Sequence, residues 1–169
     1  MQNISFTPHF LLSEFVASRT ARVHGINNTP PEEAVENLRA LCVHTLEPLR
    51  EALGLPIVIT SGYRCKKLNH LMVNRSVKSQ HMNGQAADFY VAEPKDSNSE
   101  KTTRRELLIR AFRQIITDDA IAFDQLIIYP SFIHVSYVRC GRKNRSKLTK
   151  AFANGSYAAL TRNQALALE

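Results

Sequence analysis

Cysteine is scarce in this chain and badly placed for a covalent frame. Cys42, Cys65 and Cys140 are scattered through 169 residues with no Cys-x-x-Cys pair. An odd, dispersed set excludes a disulfide-stapled scaffold and a thiolate zinc site, and predicts reduced thiols. No apolar run approaches the roughly 20 residues that a membrane-spanning helix needs. The start, Met1-Gln2-Asn3-Ile4-Ser5-Phe6, lacks the basic region and long apolar stretch of a secretory signal, which predicts a protein made in the cytoplasm. Internal repeats and an interdomain linker are also missing, so the length predicts one domain with a proper core. Acidic residues are absent from residues 139–150. Arg139, Arg142, Lys143, Arg145, Lys147 and Lys150 there carry +6 of the formal net +7. Such a segment suits an anionic partner such as nucleic acid, teichoic acid or acidic lipid, or else is a solvated stretch that aids solubility.

What is present is a metal-ligand pattern. His81 and Asp88 sit in Ser79-Gln80-His81-Met82-Asn83-Gly84-Gln85-Ala86-Ala87-Asp88, and His134 in Phe132-Ile133-His134-Val135-Ser136. Two imidazoles and a carboxylate give zinc three protein ligands and leave a fourth position for water, the arrangement of catalytic rather than structural zinc. Gly84 permits a tight turn after His81, and Ala86 and Ala87 are small enough for the chain to bring Asp88 back. His134 stands in an alternating β-branched run, so it is expected to project from a strand of another hairpin.

Periodicity supplies the frame. Phe10 to Arg19 opens with Leu11-Leu12-Ser13-Glu14-Phe15, where Ser13 can cap a short helix. Thr29-Pro30-Pro31-Glu32 predicts a helix start with Thr29 as N-cap, Pro30 in the first helical position and Glu32 closing a capping box. Val35, Leu38, Leu41, Cys42, Leu46, Leu49 and Leu53 keep helical spacing up to Gly54, with a kink or break expected at Pro48. Ile57 to Thr60 reads as a strand, Cys65 to Met72 as a brief helix, and Gln85 to Val91 as a second strand. A loop is expected over residues 93–101, and a helix over 103–116 with Leu107, Leu108, Ala111, Phe112, Ile115 and Ile116 on one face. Phe123 to Tyr129 and Phe132 to Val138 form a hairpin around Pro130-Ser131. The basic segment and an Ala/Leu-rich tail follow. This order predicts an α+β fold, with a small, mostly antiparallel sheet carrying the metal ligands and helices on its other face. Because residues 141–169 follow the last expected strand, the core is expected to be complete at 1–140, the rest being a tail and not a separate domain.

Four stretches together carry a resemblance: Ser61-Gly62-Tyr63-Arg64, Ser79-Gln80-His81 through Gly84 to Asp88, Phe123-Asp124-Gln125-Leu126-Ile127, and His134-Val135-Ser136. They resemble the zinc peptidases that cut peptidoglycan peptides: D-alanyl-D-alanine carboxypeptidases and dipeptidases and phage L-alanyl-D-glutamate endolysins, with the Hedgehog signalling domain as a structural relative. Leu12-Ser13-Glu14-Phe15, Ser18-Arg19-Thr20-Ala21, Gly25-Ile26-Asn27-Asn28 and Glu47-Pro48-Leu49-Arg50 are similar to the short phage and bacterial branch. The resemblance implies Zn2+ on His81, Asp88 and His134. It implies that Arg64 binds a substrate carboxylate or the developing oxyanion, a role that suits the two-pronged guanidinium; the plainer reading of Arg64 is a surface ion pair. Ser79 and Gln80 would hydrogen-bond Asp88 or the substrate, or Gln80 is simply a loop residue. Many members place an acid three residues before the last His; here that position is Ser131. Asp124 and Tyr129 are the remaining candidates, Tyr129 as the better oxyanion donor because its unperturbed pKa is near 10, and the general base stays unassigned.

The expected function is zinc-dependent hydrolysis of peptidoglycan peptide bonds involving D-amino acids, as carboxypeptidase or endolysin-type endopeptidase. The alternative is a non-catalytic zinc module of the same fold that binds cell wall or protein. No Ser or Cys is set beside a base, so no covalent intermediate is expected. A peptidoglycan peptide is the expected partner, with an anionic wall polymer as a second through 139–150. Nucleic acid is disfavoured, because the basic run has no interleaved aromatics and no reading motif. Without a signal peptide, action at the wall implies a phage lysin or non-conventional export.

Overall fold

The computed structural model describes residues 4–73, 76–93 and 103–169. Apart from Glu93, the loop expected at 93–101 lies outside the described residues. A short ribbon, β1 (Ser5–Thr7) and β2 (Phe10–Leu11), leads into α1 (Leu12–Val16), α2 (Arg19–Val23), α3 (Glu32–Leu41) and α4 (Glu47–Leu53). Then come β3 (Ile57–Ser61), α5 (Lys66–His70), β4 (Ala86–Val91), α6 (Arg104–Thr117), β5 (Gln125–Ile128) and β6 (Ile133–Ser136). The chain ends with β7 (Lys147–Ala151), β8 (Tyr157–Ala159) and α7 (Arg162–Leu166). The larger sheet has the order β3-β4-β6-β5-β7-β8, antiparallel throughout except for the parallel β5–β7 pair. This is the α+β architecture with a mostly antiparallel sheet that the sequence predicts.

Strand alternation sorts the two faces of that sheet. Ala87, Phe89, Leu126, Ile128, Ile133, Val135 and Leu148 point into the core. There they meet Leu108, Phe112 and Ile115 of α6 and the apolar face of the N-terminal helices. Asp88, Ile127, His134 and Thr149 alternate with these and point the other way, into an open cleft. Thr103 caps α6 and shares a capping box with Glu106, within a residue of the expected start.

The start of α3 differs from expectation. Pro31 is the N-cap and the helix begins at Glu32, with no side-chain cap bond. The reason is in the dipeptide: a residue before proline is pushed out of the helical region, so Pro30 cannot open the helix. Thr29 bonds Asn27 instead. Further on, a π-helical turn, Cys42–Leu46, precedes Pro48, which sits in the first turn of α4. Proline removes an N–H and crowds the carbonyl four residues back, here that of His44. The widened turn frees that carbonyl, which accepts the Ala122 N–H at 3.0 Å, while Thr45 Oγ1 donates to Ala122 O at 2.5 Å. The break expected at Pro48 thus lies one turn earlier, and it docks the segment that enters β5.

The largest difference is at the end of the chain. The strand expected to be last is not: β7 continues the sheet beside β5, burying Leu148 and Ala151, and α7 lays Ala165 and Leu168 against the core around α6. The anchor is Asp124. Its carboxylate is fully buried and accepts from Arg142, from the backbone and side chain of Arg145, and from Gln80. Two of the residues that give the basic segment its charge are therefore partners of one buried acid.

Candidate metal centre and its cleft

His81 lies in a 3-10 turn, Gln80–Asn83, that ends at Gly84 in the left-handed conformation, φ +67°. A side chain at Gly84 would be strained there and would also overlap the Ala34 carbonyl of α3. Asn37 of α3 donates to Asn83 O at 2.9 Å, fixing the turn from the same side. Asp88 and His134 are direct register partners on β4 and β6, so sheet pairing alone holds them face to face.

The three ligand-type atoms converge. His134 Nδ1 is 2.8 Å from Asp88 Oδ1 and 3.2 Å from His81 Nε2, and His81 Nε2 is 3.3 Å from Asp88 Oδ1. A tetrahedral zinc with bonds of about 2.0–2.1 Å spaces its ligand atoms about 3.3 Å apart, so this triangle matches one face of such a site. The donor set also fits in its tautomers. His81 Nδ1 is 2.7 Å from the Gly62 carbonyl, which can only accept, so Nδ1 carries the proton and Nε2 presents a lone pair. Gly62 can come so near because a Cβ there would fall 2.5 Å from Phe15 O. Burial lowers the His81 pKa, favouring the neutral, metal-binding form, against the pull of Asp88. Burial opposes ionisation of Asp88 too, but the adjoining His81 and His134 imidazoles outweigh it and hold the carboxyl well below the usual range. His81, Asp88 and His134 form the one group of three such ligand types found among the described residues.

The cleft over these atoms has a volume of about 880 Å³. Arg64 lines it, half-buried, in none of the ion pairs found among the described residues, with a buried Nε that has no hydrogen-bond partner. Burial lowers its pKa, while Asp88 and Tyr129 partly restore it. The loop that carries Arg64 is pinned by Asn28, which donates to Tyr63 O and accepts from Cys65 N, and by Tyr63 N–H donating to Phe15 O. Arg64 N–H donates to His81 O at 3.1 Å, tying this loop to the His81 turn.

The other candidates separate. Tyr129 lines the cleft, stacked on Phe132 at 4.2 Å, with its hydroxyl 3.1 Å from that of Tyr157. Burial, reinforced by the Tyr157 bond, pushes its phenol pKa up. Ser131 and Ser79 lie on the cleft wall, and Ser79 O accepts the Met82 N–H. Gln80 also reaches the wall, but its amide donates to Asp124 at 3.0 Å and not to Asp88. The structure does not bring Asp124 to the cleft: burial opposes its ionisation, yet Arg142, Arg145 and Gln80 hold it ionised, well below its usual pKa. Among the described residues that line the cleft, Asp88 is the only carboxylate.

Sequence reasoning missed several contributors. Asn28 and Gly62 shape the site through backbone contacts that no residue type announces. Tyr157 and β7 come from a segment read as a tail. A scan for short strand-like stretches could have pointed to Leu148-Thr149, but the stretch is brief and lies among charges.

A family model described as Peptidase M15 matches residues 8–136. That span takes in His81, Asp88 and His134, together with Arg64 and Tyr129, and stops short of Arg142, β7 and β8. No curated protein matches the chain.

Proposed function

The chain belongs to the Peptidase M15 family, and from that premise we propose that it hydrolyses peptide bonds involving D-amino acids in peptidoglycan, with zinc on His81, Asp88 and His134. The observation that carries the reading is the triangle of ligand atoms with edges of 2.8–3.3 Å at the floor of an open cleft. Zinc bound there supplies a Lewis acid that polarises a carbonyl and activates water near neutral pH. The chain's own groups do the rest. Gly62 and the Asp88–His134 pairing hold the imidazoles in place. Arg64, with its unpartnered Nε, binds a carboxylate or the oxygen on which charge develops. Tyr129, held protonated, donates a hydrogen bond from the opposite wall.

A carboxypeptidase and an endopeptidase place the substrate carboxylate differently. Mass analysis of purified peptidoglycan digested with and without chelator separates them: loss of D-Ala marks the first, a cut after L-Ala the second. One observation favours a second reading, a non-catalytic zinc module that binds wall or protein. Hydrolysis needs a group to take the water proton and return it to the leaving amine, and Asp88 is already committed to two imidazoles. Unaltered peptidoglycan in the same digest, together with retention of the protein on sacculi, selects that reading. No helix among the described residues is long and apolar enough to cross a membrane.

A further inference from the structure

Four residues form one row across the open face of the sheet. Asp88 on β4 pairs with His134 on β6, His134 with Ile127 on β5, and Ile127 with Thr149 on β7. Register partners share a face, and adjacent strands lie about 4.8 Å apart, so Thr149 stands about 14 Å from Asp88. The cleft follows this row away from the metal ligands. An extended peptide advances about 3.4 Å per residue, so the row accommodates roughly four residues.

The far end of the cleft is strongly cationic. Lys147 on β7, Arg142 and Arg145 on Asp124 immediately before β5, and Lys78 line the cleft, while Asp88 is the only lining carboxylate among the described residues. Buried Asp124 neutralises one of the four charges and fixes the two guanidinium groups, whose side chains remain 42% and 48% exposed. On β7 itself Thr149, 6% exposed, carries a buried hydroxyl with no hydrogen-bond partner. Arg142, Arg145, Lys147 and Thr149 all lie beyond the residues matched by the family model.

We infer that β7 and the arginines leading into it form a second anion subsite, which takes a carboxylate of the peptide two to four residues from the bond that is cut. The inference rests on the peptidase reading above for its substrate class. Arg64 and this subsite then hold the substrate at two charged points, on either side of the row, and fix which stretch of an acidic peptide lies over the metal ligands. An uncharged or amidated peptide of the same length loses the second point.

The test uses the full chain, loaded with zinc, and two soluble stem peptides released from peptidoglycan, one with free internal carboxylates and one with these amidated. Affinity is read by calorimetry and turnover by mass. Lys147 is the residue to change, because it is exposed and meets Asp124 only through its backbone N–H, whereas Arg145→Gln removes a side-chain partner of a buried acid. The wild type is expected to prefer the free-carboxylate peptide by roughly tenfold, and Lys147→Glu to abolish most of that preference while Lys147→Arg keeps it. Equal affinities for the two peptides in the wild type, or a preference untouched in Lys147→Glu, overturn the subsite. Binding of a glycerol-phosphate polymer that displaces the peptide and is lost in Lys147→Glu overturns its assignment to the peptide. A peptide that binds with the expected preference but is never cut overturns the peptidase reading and leaves the subsite standing.

Discussion

The two ends of the cleft are built on different principles. At the near end, chemistry is carried by residue type: two histidines and an aspartate are brought together by one tight turn and one register pair. At the far end, chemistry is carried by pairing. Arg142 and Arg145 gain a fixed place only because Asp124, 18 and 21 residues earlier in the chain, is buried beneath them. A ligand set keeps its meaning when read as letters, whereas a basic run does not, because any one of its charges can be solvated, paired or functional. The near end was accordingly legible and the far end was read as a tail.

The largest expected effect tests whether the far end is part of the fold. Truncation after Cys140 removes β7 and every cationic partner of Asp124. An uncompensated buried charge costs about 3–5 kcal/mol, and the lost burial of Leu148 about 1.5–3 kcal/mol more. Against a total stability of about 5–15 kcal/mol, the truncated chain is expected to show no cooperative thermal transition by circular dichroism. A sharp transition near that of the full chain would restore the original reading of residues 141–169 as a dispensable tail.

The next effect belongs to the near end. His81→Ala or His134→Ala removes one of three proposed ligands, and metal analysis after purification without chelator should fall from close to one zinc per chain to a small fraction. His81→Ala also leaves Gly62 O without its donor, so the melting temperature is best compared in the presence of chelator, where the metal contribution drops out. Near-full zinc in both variants would remove the metal centre from the proposal.

Arg64→Lys comes third. It keeps the charge and loses the fork, so activity is expected to fall by roughly tenfold or more with zinc content unchanged. Unchanged turnover would take Arg64 out of the substrate site, despite its unpartnered Nε.

How far the sequence carried follows the same division. The core helix 104–117, the strands at 57–61, 86–91, 125–128 and 133–136, and the α+β class follow from periodicity, because each segment buries one face. The start of α3 departs from the capping signals of Thr29 and Pro30 because Pro31 keeps its predecessor out of the helical region. β7 was hidden because only Leu148 of its five residues faces the core, while Thr149 and Ala151 line the cleft, between lysines that are exposed or half-buried. The roles of Asn28 and Gly62, present in the motifs as letters only, were illegible for another reason: Asn28 acts on backbone atoms 35 and 37 residues away and Gly62 on an imidazole 19 residues away, and nothing local records either.

The smallest expected effect isolates the Asp124 clamp by pH. Asp124→Asn keeps the shape and part of the hydrogen bonding but removes the charge. Because both arginines are about half-exposed and stay hydrated when unpaired, the loss at neutral pH is expected to be about 1 kcal/mol, well below that of a fully buried pair. The sign follows from the direction of the shift. The folded-state pKa of Asp124 lies below that of an unfolded aspartate, about 3.9. Its contribution is therefore fully present above that value and is lost as pH falls through the unfolded and then the folded pKa. Urea unfolding of the wild type and Asp124→Asn should accordingly give curves separated at pH 7 and 5 that draw together below about pH 4, where the carboxyl of the unfolded chain begins to protonate while that of the folded chain stays ionised. With Lys147→Glu as a control outside the clamp, the pH dependence should persist. If the gap between wild type and Asp124→Asn stays constant down to pH 3, the arginines are not held by the charge of Asp124, and the far end of the cleft is a solvated basic surface after all.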